Sequence, residues 1–203
     1  MKLNKIETLF WDFDGVIMDS NAVRDLGFVE VLKDYPKVEV DALMTFHQDN
    51  GGLSRYVKFR YFFEIIRGES ISEAEVKIWA EKFSKIMIQL LIKPNLLIQE
   101  TLDFIKANAH NYNMHIVSGS DQKELRFICK SLNIAKYFNS IHGSPIPKNN
   151  LVETLLEKHT YEKSSCLLIG DSNNDYEAAK VNGIKFMGYG NKKIELKTNL
   201  KLF

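Results

Sequence analysis

Cysteine is scarce in this chain of 203 residues: there are two, Cys129 and Cys166, each inside an apolar stretch. They fit reduced core thiols of a cytoplasmic protein better than a disulfide framework. An excess of one charge is also missing. The 27 Lys and Arg face 26 Asp and Glu, leaving a formal net charge of +1, and no basic tract stands out. That argues against a broad nucleic-acid footprint, and Lys192-Lys193 read as solvated surface. No apolar run approaches the roughly 18 residues of a spanning helix. The N-terminus lacks the charged, then apolar, then small-residue order of a signal peptide. There is no internal repeat and no long polar linker. The expectation is a soluble cytoplasmic protein with no nucleic-acid or membrane partner, a monomer or weak homodimer. With 45% hydrophobic residues, it is long enough to bury a core without staples.

What is present begins near the N-terminus. The apolar run from Ile6 to Trp11, broken by Glu7 and Thr8, predicts a buried strand ending at Asp12. Asp12 and Asp14 follow, two residues apart and therefore on one side of an extended segment. Like charges that close call for a cation or a shared proton. An ordinary polar turn after a core strand is the bland alternative.

From there to about residue 92 the pattern is helical. Ser20 or Asn21 can cap a helix with Val23, Leu26, Val29 and Leu32 on one face, stopping near Pro36. A second helix is predicted over Val40 to His47, and Asn50-Gly51-Gly52 breaks it. Ser54 can cap a third, through Phe59, Phe62, Phe63 and Ile66 to Gly68. Ser72-Glu73-Ala74-Glu75 has capping-box spacing and opens a longer helix to about Ile92, with Val76, Trp79, Phe83, Ile86 and Leu90 on its apolar face. Beyond Pro94 helices and short apolar strands alternate. Helices are predicted at about 96–107, after Asp121 (whose spacing to Glu124 is again that of a capping box), at 150–159 and up to Gly183. Strands are predicted at 114–117, near 140–142, at 165–169 and at 184–187, ahead of a polar tail. Alternation of this kind means an α/β fold with a doubly wound parallel sheet. The simplest organisation is a core of residues 1–19 and 93–203 with an all-helical domain, residues 20–92, inserted after the first strand.

Three further segments carry candidate chemistry. Ser118 and Gly119 stand between an apolar strand and a helix start, where a hydroxyl and free backbone N–H groups suit a phosphate oxygen; a plain helix cap is the alternative. Lys148 is pinned in a Pro-x-Pro-Lys turn, less free than a solvated lysine. Gly170-Asp171-Ser172-Asn173-Asn174-Asp175 places two carboxylates four apart after a buried strand, which suits Mg²⁺, a cation that keeps water and phosphate among its ligands; Asp171 as a helix cap is the alternative.

Asp12-Phe13-Asp14-Gly15-Val16 with Asp19-Ser20 resembles the first motif of the haloacid dehalogenase superfamily. Ser118, Lys148 and Gly170-Asp171-Ser172-x-x-Asp175 are similar to its second, third and fourth motifs, in the right order. The helical block then takes the place of the family's cap. The resemblance implies a Mg²⁺-dependent phosphatase acting on a small phosphorylated metabolite. Asp12 would be nucleophile and metal ligand, and Asp14 acid and base through its side chain and metal ligand through its carbonyl. Asp171 would bind the metal directly, and Asp175 through water or by orienting the site. Ser118, Gly119 and Lys148 would hold the phosphate. The carboxylate at Asp14 disfavours dehalogenation, because halide leaves without a proton. The motifs are shared by phosphoglycolate phosphatases and by β-phosphoglucomutase, so a sugar phosphomutase is an alternative, and a non-catalytic phosphometabolite-binding protein is one of another class. Asn50-Gly51-Gly52-Leu53-Ser54-Arg55 is the most distinctive part of the helical block. There Arg55, with Lys58, is expected to contact an anionic or hydroxylated part of the substrate. Asp19-Ser20 reads as the hinge between core and helical block.

Overall fold

A computed structural model describes residues 6–197. Five strands, β1 (Thr8–Trp11), β2 (Asn113–Asp121), β3 (Ser140–Ser144), β4 (Cys166–Gly170) and β5 (Lys185–Gly188), form one parallel sheet in the order β3-β2-β1-β4-β5. The central strand β1 is buried on both faces, which explains its unbroken apolar run. Leu9 and Trp11 feed one core cluster and Phe10 the other, as the two-residue period of a strand requires. Trp11 lies in register with Ile116 of β2 and Ile169 of β4. Asp12, Ser118 and Asp171 therefore come off the same edge of the sheet, where the winding reverses and open α/β sheets bind ligands.

Four helices, α1 (Asn21–Val31), α2 (Lys37–Asp49), α3 (Arg55–Tyr61) and α4 (Glu73–Leu91), with a π-helical turn at Phe62–Ile66, are inserted between β1 and β2. The remaining helices flank the sheet: α5 (Gln99–Asn108), α6 (Gln122–Ser131), α7 (Lys148–His159), α8 (Asn173–Asn182) and the short α9 (Lys192–Glu195). The local signals behave as their chemistry dictates. Ser54 accepts from the backbone N–H of Val57, Ser72 and Glu75 close a full capping box, and Gly183 ends α8 at a φ of +68°. Both cysteines are buried and free. No helix among the described residues is long and apolar enough to cross a membrane.

Four local expectations are corrected. The buried face of α1 is Arg24, Gly27 and Phe28, while Leu26 is 63% and Val29 45% exposed. Gly27 lets α4 approach so closely that a Cβ there would strike Met87, and Arg24 has carboxylate partners that make its burial tolerable. The stripe of α4 is rotated to Val76, Ala80, Phe83, Met87 and Leu91, with Trp79, Ile86 and Leu90 half-buried beside it. Asp121 caps α6, accepting from the N–H groups of Lys123 and Glu124, but the Glu124 side chain does not complete a box because it is drawn into an ion pair. The polar tail begins with α9, and residues 198–203 lie outside the described residues.

Candidate active site

The turn after β1 builds the centre of the site. Gly15 takes a φ of +75°, and a Cβ on it would collide with the Asp171 carboxylate. The N–H of Asp12 donates to the carbonyl of Ile169, tying the turn to β4. Asp12, 3% exposed, accepts from Lys148 Nζ at 2.8 Å, and the same ammonium pairs with Asp175. Lys148 reaches them from the first position of α7, directly after Pro147. Asp12, Asp171 and Asp175 offer carboxylate oxygens within 4.8 Å of one another.

Three carboxylates around one ammonium leave negative charge uncompensated, and the proton affinities record it. Burial, then Asp175, hold the Asp12 carboxyl well above the usual carboxylate range. The same two causes push Asp171 up to about 6. Burial depresses the Lys148 ammonium, but Asp12 and Asp175 outweigh it and raise its pKa. A donor set of hard oxygens short of positive charge fits a divalent cation such as Mg²⁺.

Asp14 points elsewhere. It accepts from the hydroxyls of Ser20 and, at 2.6 Å, of Ser120, and from Arg24 Nε at 2.9 Å. Burial works to raise its pKa, but Arg24 and the two hydroxyls prevail and set the carboxyl below its usual value. Its side chain is thus separate from the three-carboxylate group. Ser118 is buried, and its hydroxyl accepts from the N–H of Ser120 at 3.1 Å; β2 runs past it to Asp121. Gly119 lies so close to the insert's Gly52 that a Cβ would strike the Gly52 carbonyl, which also accepts from Asn174.

Helices of the insert close a cavity of about 920 Å³ over this edge, lined by Asp12, Asp14, Ser118, Gly119 and Asp171 from below. Arg55 and Lys58 line it from α3. The Arg55 guanidinium is already engaged, donating to both oxygens of the buried Glu124 at 2.5 and 3.0 Å and to Ser84 at 2.7 Å. Lys58 Nζ lies 2.6 Å from His47 Nδ1. The structure thus brings every candidate residue to one cavity or its floor, with Lys148 and Asp175 buried beneath Asp12.

A family model described as haloacid dehalogenase-like hydrolase matches residues 9–189, a span that contains all four motifs. The chain belongs to that family. It is similar to the phosphorylated carbohydrates phosphatase of Thermotoga maritima, 24% identical over 188 residues, covering 89% of this chain and 83% of that one. A phosphoglycolate phosphatase of Aquifex aeolicus is 25% identical over 191 residues, with the same coverage. Among solved structures, β-phosphoglucomutase of Clostridium difficile superposes with a TM-score of 0.73 at 20% identity, covering 96% of this chain and 89% of that one, a likeness of fold.

Within the haloacid dehalogenase-like frame, sequence reasoning missed Arg24, Glu124, Asp25 and His47. Arg24 was within reach: it stands four residues after Ser20 on one helical face, and therefore beside whatever Ser20 touches. The spacing from Asp121 marks Glu124 only as the end of a capping box. Asp25, His47 and Lys58 come from three helices, and nothing in their spacing brings them together.

Proposed function

We propose that the chain is a Mg²⁺-dependent phosphatase that hydrolyses a small phosphorylated metabolite through an aspartyl-phosphate on Asp12. Residues 20–92 act as a cap over a core of residues 1–19 and 93–203. The reading rests above all on the Lys148 bridge. A buried ammonium fixes Asp12 against Asp175 while a third carboxylate, Asp171, stands within the same group. Such an arrangement is costly unless it serves chemistry that brings positive charge. The Thermotoga and Aquifex relatives, both phosphatases, support the same class.

Asp12 and Asp171, with the backbone carbonyl of Asp14, would hold Mg²⁺, and Asp175 would act through a bound water. When bound, Mg²⁺ neutralises charge on the phosphoryl group and helps align it. A carboxylate oxygen of Asp12 attacks phosphorus, the ester P–O bond breaks, and the leaving alkoxide takes a proton from Asp14. Lys148, the Ser118 hydroxyl and the N–H of Gly119 donate to the remaining oxygens. Asp14 then removes a proton from water, which attacks phosphorus and releases Asp12 and inorganic phosphate. Arg24 keeps Asp14 ionised without substrate; a phosphate dianion beside it is a like charge, which favours the protonated carboxyl and lets it carry the proton.

The test is release of phosphate from p-nitrophenyl phosphate with Mg²⁺ and with EDTA. Mg²⁺-dependent turnover that disappears in Asp12→Asn, with the fold intact by circular dichroism, is expected. Interconversion of sugar phosphates without phosphate release would overturn the hydrolase reading.

A further inference from the structure

We infer that the ester's leaving group is an uncharged, hydroxyl-bearing unit, a sugar or other polyol, and that Lys58, positioned by His47 and Asp25, is its specificity-determining contact. This rests on the phosphatase reading above and adds the substrate class.

The first observation is a chain of three side chains from three helices of the insert, all lining the cavity. Asp25 Oδ1 stands 2.8 Å from His47 Nε2, and His47 Nδ1 2.6 Å from Lys58 Nζ. An ionised carboxylate only accepts, so Nε2 carries the imidazole proton and Nδ1 is left to accept from the ammonium. The ring is packed against Phe28 at 4.7 Å between centroids. Burial, then Lys58, bring the His47 pKa down to about 4, so the imidazole is neutral at physiological pH. Lys58 itself is 3% exposed, with a stem that cannot wander.

The second observation is charge balance. Arg24 and Arg55 are matched by Asp14 and Glu124 in one buried cluster, and Lys58 is matched by Asp25 through the neutral imidazole. Asp49, Glu177, Lys193 and Lys197 also line the cavity but are exposed and screened by solvent. A carboxylate or second phosphate on the leaving group would therefore add an unmatched negative charge near Asp14.

The third is an excess of donors. Arg24 Nη2 is buried without a hydrogen-bond partner among the described residues. Lys58 has three N–H donors, one of them on His47, and no carboxylate partner among those residues. Unfilled donors in this charge-balanced cluster match oxygens that accept without bringing charge, which is what hydroxyl and ring oxygens do. The cavity, about 920 Å³, leaves ample room for a sugar.

The experiment is steady-state kinetics with Mg²⁺ on p-nitrophenyl phosphate, a panel of pentose and hexose monophosphates, phosphoglycolate and fructose 1,6-bisphosphate. At least one sugar monophosphate should exceed phosphoglycolate and the bisphosphate about tenfold or more in kcat/KM. In His47→Ala, and independently in Lys58→Met, the ratio of that sugar monophosphate to phosphoglycolate should fall about fivefold or more, chiefly through KM. His47→Asn, whose amide oxygen can stand in for Nδ1, should retain more of the ratio than His47→Ala. Preference of the wild type for phosphoglycolate or the bisphosphate would overturn this inference alone. Equal losses on all esters in both variants would overturn the role given to Lys58 and His47. No phosphate released from any ester would overturn the phosphatase reading and this inference with it.

Discussion

Replacing Asp171 by asparagine should make the metal-free protein more stable while removing its response to Mg²⁺. The carboxyl is raised from 3.8 to about 6 by burial and by Asp175. Its folded-state pKa therefore lies above the unfolded one, so its favourable contribution is present below the ordinary value and lost as pH rises through about 6. Near neutral pH the charged form costs on the order of 3 kcal/mol, at about 1.4 kcal/mol per pH unit between the two values. Asparagine has no charge to lose, and its amide oxygen can keep the hydrogen bond that Asn21 Nδ2 donates at 3.0 Å. For a chain of this size about 2–4 °C of melting temperature follows each kcal/mol, so Asp171→Asn should melt about 6–12 °C above wild type in EDTA near pH 7.5. Near pH 5, where wild-type Asp171 is largely protonated, the gap should shrink to about half. His47 and His115, both held down to about 4, titrate alike in both proteins and drop out of the comparison. Mg²⁺ should close the gap at a hundredfold excess over Kd, where wild type gains about 2.7 kcal/mol, and reverse the order at a thousandfold excess, where it gains about 4.1 kcal/mol, while the variant gains little. Scanning fluorimetry in EDTA and in Mg²⁺ at both pH values is sufficient. A variant less stable than wild type in EDTA, or one that Mg²⁺ shifts equally, would refute the reasoning.

Lys148→Met leaves three carboxylates without a cation and should destabilise the EDTA-treated protein by about 3–5 kcal/mol in denaturant titration, with Mg²⁺ restoring part of the loss. Glu124→Gln leaves two buried guanidinium groups facing a neutral amide; a loss of about 3 kcal/mol or more is expected, read as a lower urea midpoint. Gly119→Ala drives a Cβ into the Gly52 carbonyl, so the insert's loop must give way; KM for the best substrate should rise while stability falls by about 1–3 kcal/mol.

The fold was legible because its signals are local. The strand after Glu7, the capping box at Ser72 and the glycine stop at Gly183 each follow from a few neighbouring residues. The floor of the site was legible for a related reason: Asp12 and Asp171 each follow a buried strand and Ser118 stands on the last residues of β2, so parallel register alone brings them together. Faces of the inserted helices were less so. The α1 helix buries Arg24 and Gly27 in preference to Leu26 and Val29, because close packing at Gly27 and two carboxylates for Arg24 outweigh the apolar stripe. The Glu124 clamp and the Asp25–His47–Lys58 chain were not legible, since each joins residues whose separation in sequence carries no information about their meeting in space.

The insert enters and leaves the sheet through neighbouring strands of chain. The N–H of Asp19 donates to the carbonyl of Leu96 at 2.8 Å, that of Ile98 to Ile17 at 2.9 Å, and Met18 bridges to Leu97. The chain on the two sides of residues 20–92 is thus held together by backbone hydrogen bonds between residues 17–19 and 96–98. An exchange of this segment for the equivalent segment of a relative must also supply partners for Asp14 and Glu124, which Arg24 and Arg55 provide here. The carboxylates, Ser118 and Lys148 would stay with one parent while the cavity wall travelled with the graft, so chimeras that keep an arginine at position 24 could sort leaving groups by insert.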